Sequence, residues 1–394
     1  MPGDSLTAPV NKLSYACHVL PSYAWQWLTR RVPSGPVHLI IALANHFEPS
    51  IVPDNGSSRA PRDEQERRLE SWSREYPKLA GDWRDHDGRP FVHTYFYPAE
   101  QYDRPLIQQL AEHCHAGWGE IEIHLHHGLS APDTPANTRR QLSAFRDLLA
   151  RDHGCLSYLD GTGSPKYAFV HGNFALANSA NGDFCGVDDE IQILADTGCY
   201  ADLTLPTAPF HTAQIAKINS LYECALPLDR RSAHREGNDL RRVHSPQIFP
   251  LMIQGPLMLR PSSKSDKAGI ENGAITKRNP LSISRLRLWK QAAISVQGKP
   301  DWLFIKLHCH GMDPTQHEAV LGAPMREFLC ALVEGAQSRK ETLHFVTARE
   351  MVNIILAACD GKEGQPGNYR DYRLQCLRST PSSSIPQSVS AVKE

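Results

Sequence analysis

Short apolar runs alternate along the chain with longer segments whose apolar residues recur at helical spacing. Eight runs have the length and composition of buried strands: 37–43, 91–97, 120–126, 166–171, 200–205, 248–253, 302–308 and 343–347. Seven segments show helical periodicity: 63–79, 105–114, 138–152, 188–196, 284–296, 324–334 and 348–359. This alternation is typical of repeated βα units. It predicts an α/β fold, built as a single distorted (β/α)7–8 barrel over residues 36–360.

Three segments lack this rhythm. Residues 1–35 are polar apart from Tyr23, Trp25 and Trp27, and we expect a docking segment that packs through those rings. Residues 262–277 are expected to form a mobile loop, and residues 361–394 a mostly disordered tail. No signal region opens the chain, and no apolar run approaches the roughly 20 residues needed to span a bilayer. We therefore expect a cytoplasmic protein with no membrane span, whose oligomeric state stays open.

Polar side chains collect on one face of several predicted strands. In the third strand, Glu122, His124 and His126 share a face because successive side chains point to opposite sides. The same alternation places further polar groups at the ends of the other strands: His46 with Glu48, Tyr95 with Tyr97, His171, Asp202 with Thr204, and Lys306 with His308 and His310. Functional groups of βα barrels gather at the C-terminal ends of the strands. The pattern therefore predicts a polar site at these ends.

Histidine makes up 19 of the 394 residues, a surplus that raises the question of a metal. Imidazoles and carboxylates are ligands of zinc and also of manganese, cobalt and iron. His124 and His126 lie one strand repeat apart on one face, so we predict that they hold a divalent ion, zinc being the first choice. His46 would add a ligand, and Glu48 a ligand or a base. His127 points to the opposite face and is interpreted as structural.

Charge and cysteine content narrow the function classes. Lys and Arg number 42 against 43 Asp and Glu, so the net charge of −1 gives no basis for binding nucleic acid. Ten cysteines are scattered without Cys-x-x-Cys pairs, which argues against a zinc ribbon and a disulfide framework. Asp188, Asp189 and Glu190 open a predicted helix and are interpreted as favourable N-terminal charges.

The order of these motifs resembles the polysaccharide deacetylase superfamily of metal-dependent carbohydrate esterases, with its glycoside hydrolase relatives. Residues 92–98 resemble the family's second strand, 120–124 its Glu-Ile-x-x-His entry into the metal motif, and 305–308 its late strand ending in Leu-His. Where the family has a pair of aspartates, this chain has His46 and Glu48, which is more similar to the His-x-acid pair of α-mannosidase-type hydrolases. The resemblance spans residues 37–360.

The resemblance implies a metal-dependent hydrolase that removes acetyl groups from an N- or O-acetylated saccharide. In this interpretation Glu48 takes the proton of a water, His308 protonates the leaving group, and Asp202 orients His308. The metal ligands would be His46, His124 and His126, and the saccharide site would be lined by Tyr97, His171, Asn173 and His310.

Two alternatives stay open at this point. A glycoside hydrolase needs two carboxylates that flank the scissile bond, and the candidates are Glu48 and Asp202, with Glu122 behind them. The second alternative is a binding protein: a barrel that has lost its catalytic base and now binds a saccharide or a protein. Release of acetate, as opposed to release of reducing ends, separates the two hydrolases.

Overall fold

A computed structural model describes residues 12–53, 55, 58–207, 217–262 and 269–377, with side chains from residue 19 onward. The described chain forms these strands: β1 (Val37–His46), β2 (His93–Pro98), β3 (Gly119–Leu125), β4 (Ser157–Leu159), β5 (Thr162–His171), β6 (Cys199–Asp202), β7 (Leu221–Cys224), β8 (Gly237–Asp239), β9 (Leu251–Ile253), β10 (Met258–Arg260), β11 (Gly269–Glu271), β12 (Trp302–Cys309), β13 (Glu341–Val346) and β14 (Leu374–Cys376). Its α-helices are α1 (Lys12–Thr29), α2 (Arg62–Ala80), α3 (Arg104–His113), α4 (Pro135–His153), α5 (Glu190–Thr197), α6 (Ile283–Ala292), α7 (His317–Leu321), α8 (Ala323–Gly335) and α9 (Ala348–Cys359).

Twelve strands form one mostly parallel sheet, in which the main path runs β12-β1-β2-β3-β5-β6-β9-β7-β8. Residues 37–42 of β1 pair with β13, and residues 43–46 pair with β2. The C-terminal end of β1 therefore lies at the centre of the polar site that the sequence predicts. The predicted α/β class is confirmed. Among the described residues no strand pairing joins β12 to β8, and the closed barrel stays a prediction.

Each of the eight predicted strands and seven predicted helices corresponds to an element of the structure, with shifted ends. Four of the described helices, α3, α4, α6 and α9, begin after a residue whose side chain caps the first turn. Asp103 accepts a hydrogen bond from the Leu106 amide at the start of α3, and Thr347 forms a capping box with Glu350 at the start of α9. Propensity and apolar periodicity therefore agree along most of the chain.

The two faces of the sheet bury two separate apolar layers. Ile121, Ile123 and Leu125 of β3 pack under the surrounding helices, whereas Ala44 of β1 and Phe96 of β2 belong to a second cluster on the opposite face. The second face also packs against α9, and its polar members near the strand ends form the first of the two sites described below.

The N-terminal segment docks differently from the prediction. The side chains of Trp25 and Trp27 are 68% and 73% exposed, so docking through these two rings is wrong. Val19 and Tyr23 instead pack against the body, and the Gln26 amide donates a hydrogen bond to the Ile218 carbonyl at 2.7 Å. Because α1 is amphipathic over these positions, one helical face binds while the indole rings stay outside.

The predicted tail is partly wrong as well. Residues 361–377 continue the fold, since β14 pairs with β4 and the Arg370 guanidinium contacts Asp85 at 2.8 Å. Residues 378–394 lie outside the described residues. Of the predicted loop 262–277, residues 263–268 also lie outside them, and residues 269–277 contain β11, which pairs with β10. Among the described helices, none combines the length and the hydropathy needed to cross a membrane.

Candidate metal centres

The C-terminal end of β1 sends its side chains to opposite faces. Phe47 packs edge-on against the rings of Trp72 and Tyr95, with centroids 5.6 and 5.0 Å away. This contact fixes the outward side of the strand end. His46 and Glu48, on either side of Phe47, consequently point inward.

The turn after β12 brings His310 to the same place. The Gly311 amide donates to Asn45 Oδ1 at 2.7 Å, which ties this turn to β1. A Cβ atom on Gly311 would lie 2.5 Å from Asn45 Nδ2, so only glycine allows the approach. The rings of His310 and His308 lie 4.7 and 6.1 Å from the ring of His46.

The end of β3 supplies a histidine with a defined tautomer. His124 Nδ1 lies 2.7 Å from the Val170 carbonyl oxygen, and this oxygen can only accept, so Nδ1 carries the proton. His124 Nε2 is the ring nitrogen that faces the site. It is buried, has no hydrogen-bond partner among the described residues, and lies 3.4 Å from Glu48 Oε1. A nitrogen that faces a carboxylate oxygen in this way favours a positive charge between them, which a proton or a metal ion can supply.

His126 lies beside this pair and is held by a carboxylate that sequence reasoning missed. Its Nδ1 lies 2.8 Å from Glu100 Oε1, and its backbone amide donates to Glu100 Oε2 at 3.2 Å. His126 Nε2 and His310 Nε2 lie 3.8 and 4.0 Å from Glu48 Oε1. Both imidazoles are 17% exposed, against 1% for His124. We call these residues the first cluster: His46, Glu48, His124, His126 and His310.

The electrostatics of the first cluster favour a positive ion. Burial, together with the nearby imidazoles, lowers the pKa of His46 well below its usual value. Burial opposes ionisation of Glu48, but the contact with His124 and the neighbouring imidazoles, His126 foremost, hold the pKa of this carboxyl well below its usual range. Glu48 is therefore ionised and lies beside the neutral imidazole of His46. These are the protonation states in which a carboxylate and an imidazole bind a metal.

A second cluster lies on the other side of the β3 end, at His127, His171, Cys185 and Glu190. His127 Nε2 lies 3.0 Å from both His171 Nε2 and Glu190 Oε1, and His171 Nε2 lies 3.4 Å from Glu190 Oε1. Cys185 Sγ lies 3.6 Å from Glu190 Oε2. All four side chains are buried.

Burial alone would lower the pKa of His127, but Asp133, Cys185 and Glu190 outweigh it and raise this pKa to about 12. Burial alone would also lower the pKa of His171, but Glu190 and Cys185 outweigh it and raise this pKa to about 9. The second cluster therefore has a strong demand for positive charge, which a proton or a metal ion can meet.

Both clusters contain a set of side chains that could hold a metal ion. In the second cluster one donor atom from each of the four residues lies within 4.8 Å of the others, and in the first the same holds for His46, Glu48 and His124. Of the predicted ligands, His46 and His124 belong to such a group together with Glu48, whereas His126 does not, and the identity of an ion stays open.

Two residues predicted to line a saccharide site lie elsewhere. Tyr97 is fully buried on the helix-facing side, where its ring packs near Phe145 and its hydroxyl donates to the Gln101 carbonyl at 3.3 Å. His171 is fully buried in the second cluster. Both assignments disagree with this placement, because alternation along β2 and β5 does not by itself reveal which face of a strand packs against the helices. Asn173 follows in the turn after β5, and its role stays a prediction.

Asp202 does not orient His308. Its carboxylate accepts hydrogen bonds from the Thr204 amide and hydroxyl at 3.0 and 2.8 Å. His308 Nδ1 is buried and has no hydrogen-bond partner in the described part of the chain. Burial raises the pKa of Asp202 to about 7 and lowers that of Lys306, which donates to two backbone carbonyls, to about 7.

Glu122 is equally unavailable. Its carboxylate accepts hydrogen bonds from the Ala168 amide at 2.6 Å and from the Tyr200 hydroxyl, and burial raises its pKa to about 8. Glu122 and Asp202 are thus both buried and accept hydrogen bonds from protein donors, and the glycoside hydrolase alternative stays a prediction.

Sequence reasoning missed Glu100, Cys185 and Glu190. One signal was present: His126 and His127 are consecutive, so they point to opposite faces and a cluster on each side is possible. No protein-family model matches the chain, and no curated protein matches it. A functional assignment therefore depends on the geometry of the two clusters.

Proposed function

We propose that the chain is a metal-dependent hydrolase of the first cluster, acting on an acetylated saccharide within a βα barrel. One observation carries the proposal: the unpartnered His124 Nε2 faces the ionised Glu48 carboxylate at 3.4 Å, beside two imidazoles that are 17% exposed to solvent. A metal site that is closed to solvent would be structural, whereas a metal site that is open to solvent leaves room for a substrate.

His46, Glu48 and His124 would hold the ion. Two imidazole nitrogens and one carboxylate oxygen suit zinc and other borderline divalent ions, and the unpartnered Nε2 of His124 supports this fit. A bound ion would supply Lewis-acid chemistry, polarising an acetyl carbonyl and lowering the pKa of a water.

His126 is the group best held for proton transfer. Glu100 accepts a hydrogen bond from Nδ1, which fixes the ring and leaves Nε2 facing the cluster. In this role Nε2 takes a proton from the attacking water and returns it to the leaving oxygen or nitrogen. His308, the earlier candidate, lacks such a carboxylate partner among the described residues.

His310 lies across Glu48 from this pair and is equally open to solvent. Burial lowers the pKa of His310, so its imidazole is neutral and can donate one hydrogen bond to a bound saccharide or its acetyl oxygen. Substrate would thus lie over the exposed edges of His126 and His310, above the buried His46 and His124.

The test is an assay of acetate and of reducing ends on N- and O-acetylated oligosaccharides, with the protein loaded in turn with zinc, manganese, cobalt and iron. We expect metal-dependent release of acetate. His126→Gln should retain the metal and lose most activity, while the exposed His317→Gln serves as the matched control. Release of reducing ends alone, or saccharide binding without product, would replace the proposal by a glycosidase or a binding protein.

A further inference from the structure

We infer that His127, His171, Cys185 and Glu190 form a closed structural site for a zinc ion, separate from the proposed active site. The donor set is two imidazoles, one thiolate and one carboxylate, all ligand types that zinc accepts. Cysteine distinguishes this site from the first cluster, in which no thiol takes part. The inference does not depend on the hydrolase proposal.

The hydrogen bonds on the outer sides of the two imidazoles set their tautomers. His127 Nδ1 lies 2.9 Å from Asp133 Oδ2, and the Thr138 hydroxyl gives its own proton to the same carboxylate. His171 Nδ1 contacts the Gly172 carbonyl oxygen. Since both outer partners accept, each Nδ1 carries a proton, and each Nε2 is the ring nitrogen that can bind a metal ion in place of a proton. A carboxylate behind a histidine is the usual support of a zinc ligand.

The two Nε2 atoms face each other and the Glu190 carboxylate. They lie 3.0 Å apart, and Glu190 Oε1 lies 3.0 and 3.4 Å from them. Zinc bonds of about 2.0–2.3 Å in a tetrahedron place the ligand atoms roughly 3.3–3.8 Å apart. The observed separations lie near this range, so an ion can enter with small movements of the side chains.

Backbone amides support the two remaining donors. The Asn178 amide donates to Cys185 Sγ at 3.3 Å, and the Ala177 amide donates to Glu190 Oε2 at 2.6 Å. These bonds favour a thiolate and an ionised carboxylate, the forms that bind zinc. The side chains of His127, His171 and Glu190 are at most 2% exposed, so protein supplies all four positions and substrate has no access.

The site lies under a segment with little regular structure of its own. Between β5 and α5, residues 172–189 form only short turns, and several non-glycine residues adopt left-handed backbone angles, among them Asn173, Phe174, Ala177 and Asn178. Such angles persist where surrounding structure enforces them. One ion bound to the loop after β3, to β5, to this segment and to α5 would provide that constraint.

Contacts also connect the segment to the loop after β3. The Asp133 amide donates to the Cys185 carbonyl at 2.7 Å, and the Phe184 amide donates to the Gly128 carbonyl at 3.1 Å. A Cβ atom on Gly128 would lie 2.5 Å from the Cys185 backbone, so the two loops touch directly. The thiol is therefore fixed from both sides.

The experiment measures zinc and its ligands in the full chain, purified without a chelating tag. We expect about one zinc per chain to survive dialysis against EDTA, and to remain in the His124→Ala variant, in which the first cluster is disabled. Cys185→Ser should lose this zinc. Cys199→Ser, which alters another buried thiol, should keep it.

If Cys185→Ser fails to fold, the zinc site can still be tested in a protein that keeps all four of its ligands. X-ray absorption at the zinc edge of the His124→Ala protein should show one sulfur and three nitrogen or oxygen neighbours. Cobalt in place of zinc should give a sulfur-to-cobalt charge-transfer band, which Cys199→Ser retains. Absence of zinc, or zinc without a sulfur neighbour, would overturn the inference and leave a protonated cluster. A failed acetate assay would overturn only the proposed function.

Discussion

Two histidine clusters share one strand end and differ in access to solvent. The first presents His126 and His310 at 17% exposure and has no thiol, whereas the second is sealed and contains Cys185. In each, a carboxylate behind one imidazole orients it, Glu100 in the first and Asp133 in the second. The comparison teaches that similar donors serve different purposes according to whether a position is left open.

The largest expected effect separates the clusters by activity. His124→Ala removes the imidazole whose Nε2 faces Glu48, and the loss of several kcal/mol of transition-state stabilisation should lower kcat/KM by ~10³-fold or more. The measurement is steady-state acetate release beside metal content. Equal activity with and without the imidazole would remove the first cluster from catalysis.

The next effect concerns stability and belongs to the second cluster. Cys185→Ser should destabilise the fold by roughly 3 kcal/mol or more, since a structural zinc contributes its binding free energy to folding. Thermal unfolding with and without added zinc measures this. An unfolding midpoint that matches the parent protein, in a variant free of zinc, would contradict a structural role.

A smaller effect tests the carboxylate behind His126. Glu100 raises the pKa of His126 despite burial, so Glu100→Gln should lower this pKa. Activity that needs neutral His126 rises as pH passes this pKa, and the acidic limb of the kcat/KM profile should therefore move to lower pH. We expect a loss of about 10–100-fold at the optimum with metal retained. An unmoved limb would exclude His126 as the titrating base.

The corresponding change in the second cluster should affect affinity for zinc. Asp133→Asn weakens the support of His127 Nδ1 and should reduce zinc affinity by about 10–100-fold, measured by competition with a chromogenic chelator. Asp196→Asn, at an exposed ion pair with Arg139, is a matched control. Equal affinities for both variants would show that Asp133 does not act through the metal ligand.

The sequence predicted the parts of this arrangement that follow from periodicity. Alternation along β3 placed His124 and His126 on one face, because Ile121 and Ile123 occupy the other. On β2 both faces mix aromatic with polar residues, so alternation could not show that Tyr97 faces the helices. The register between β1 and β12 sets His310 beside His46. This placement also depends on the hydrogen bond between Gly311 and Asn45, two residues that are far apart in the sequence.

Alternation along the strands could not predict the second cluster, and the physical reason is a different one. Cys185 and Glu190 reach His127 only because the segment before α5 follows left-handed turns that leave no periodic signal. Glu190 opens α5 and therefore looked like an ordinary N-terminal charge, although its side chain is fully buried. The identity of its neighbours is a tertiary property.

One peptide bond separates His126 from His127, and the two rings belong to different clusters. An inserted or deleted residue between them would turn the following side chain to the other face. In an alignment of relatives that keep both clusters, this dipeptide should therefore contain no gap, whereas the loop after Gly128 can vary in length. Lineages that have lost either cluster should be the ones in which substitutions at these two positions become independent.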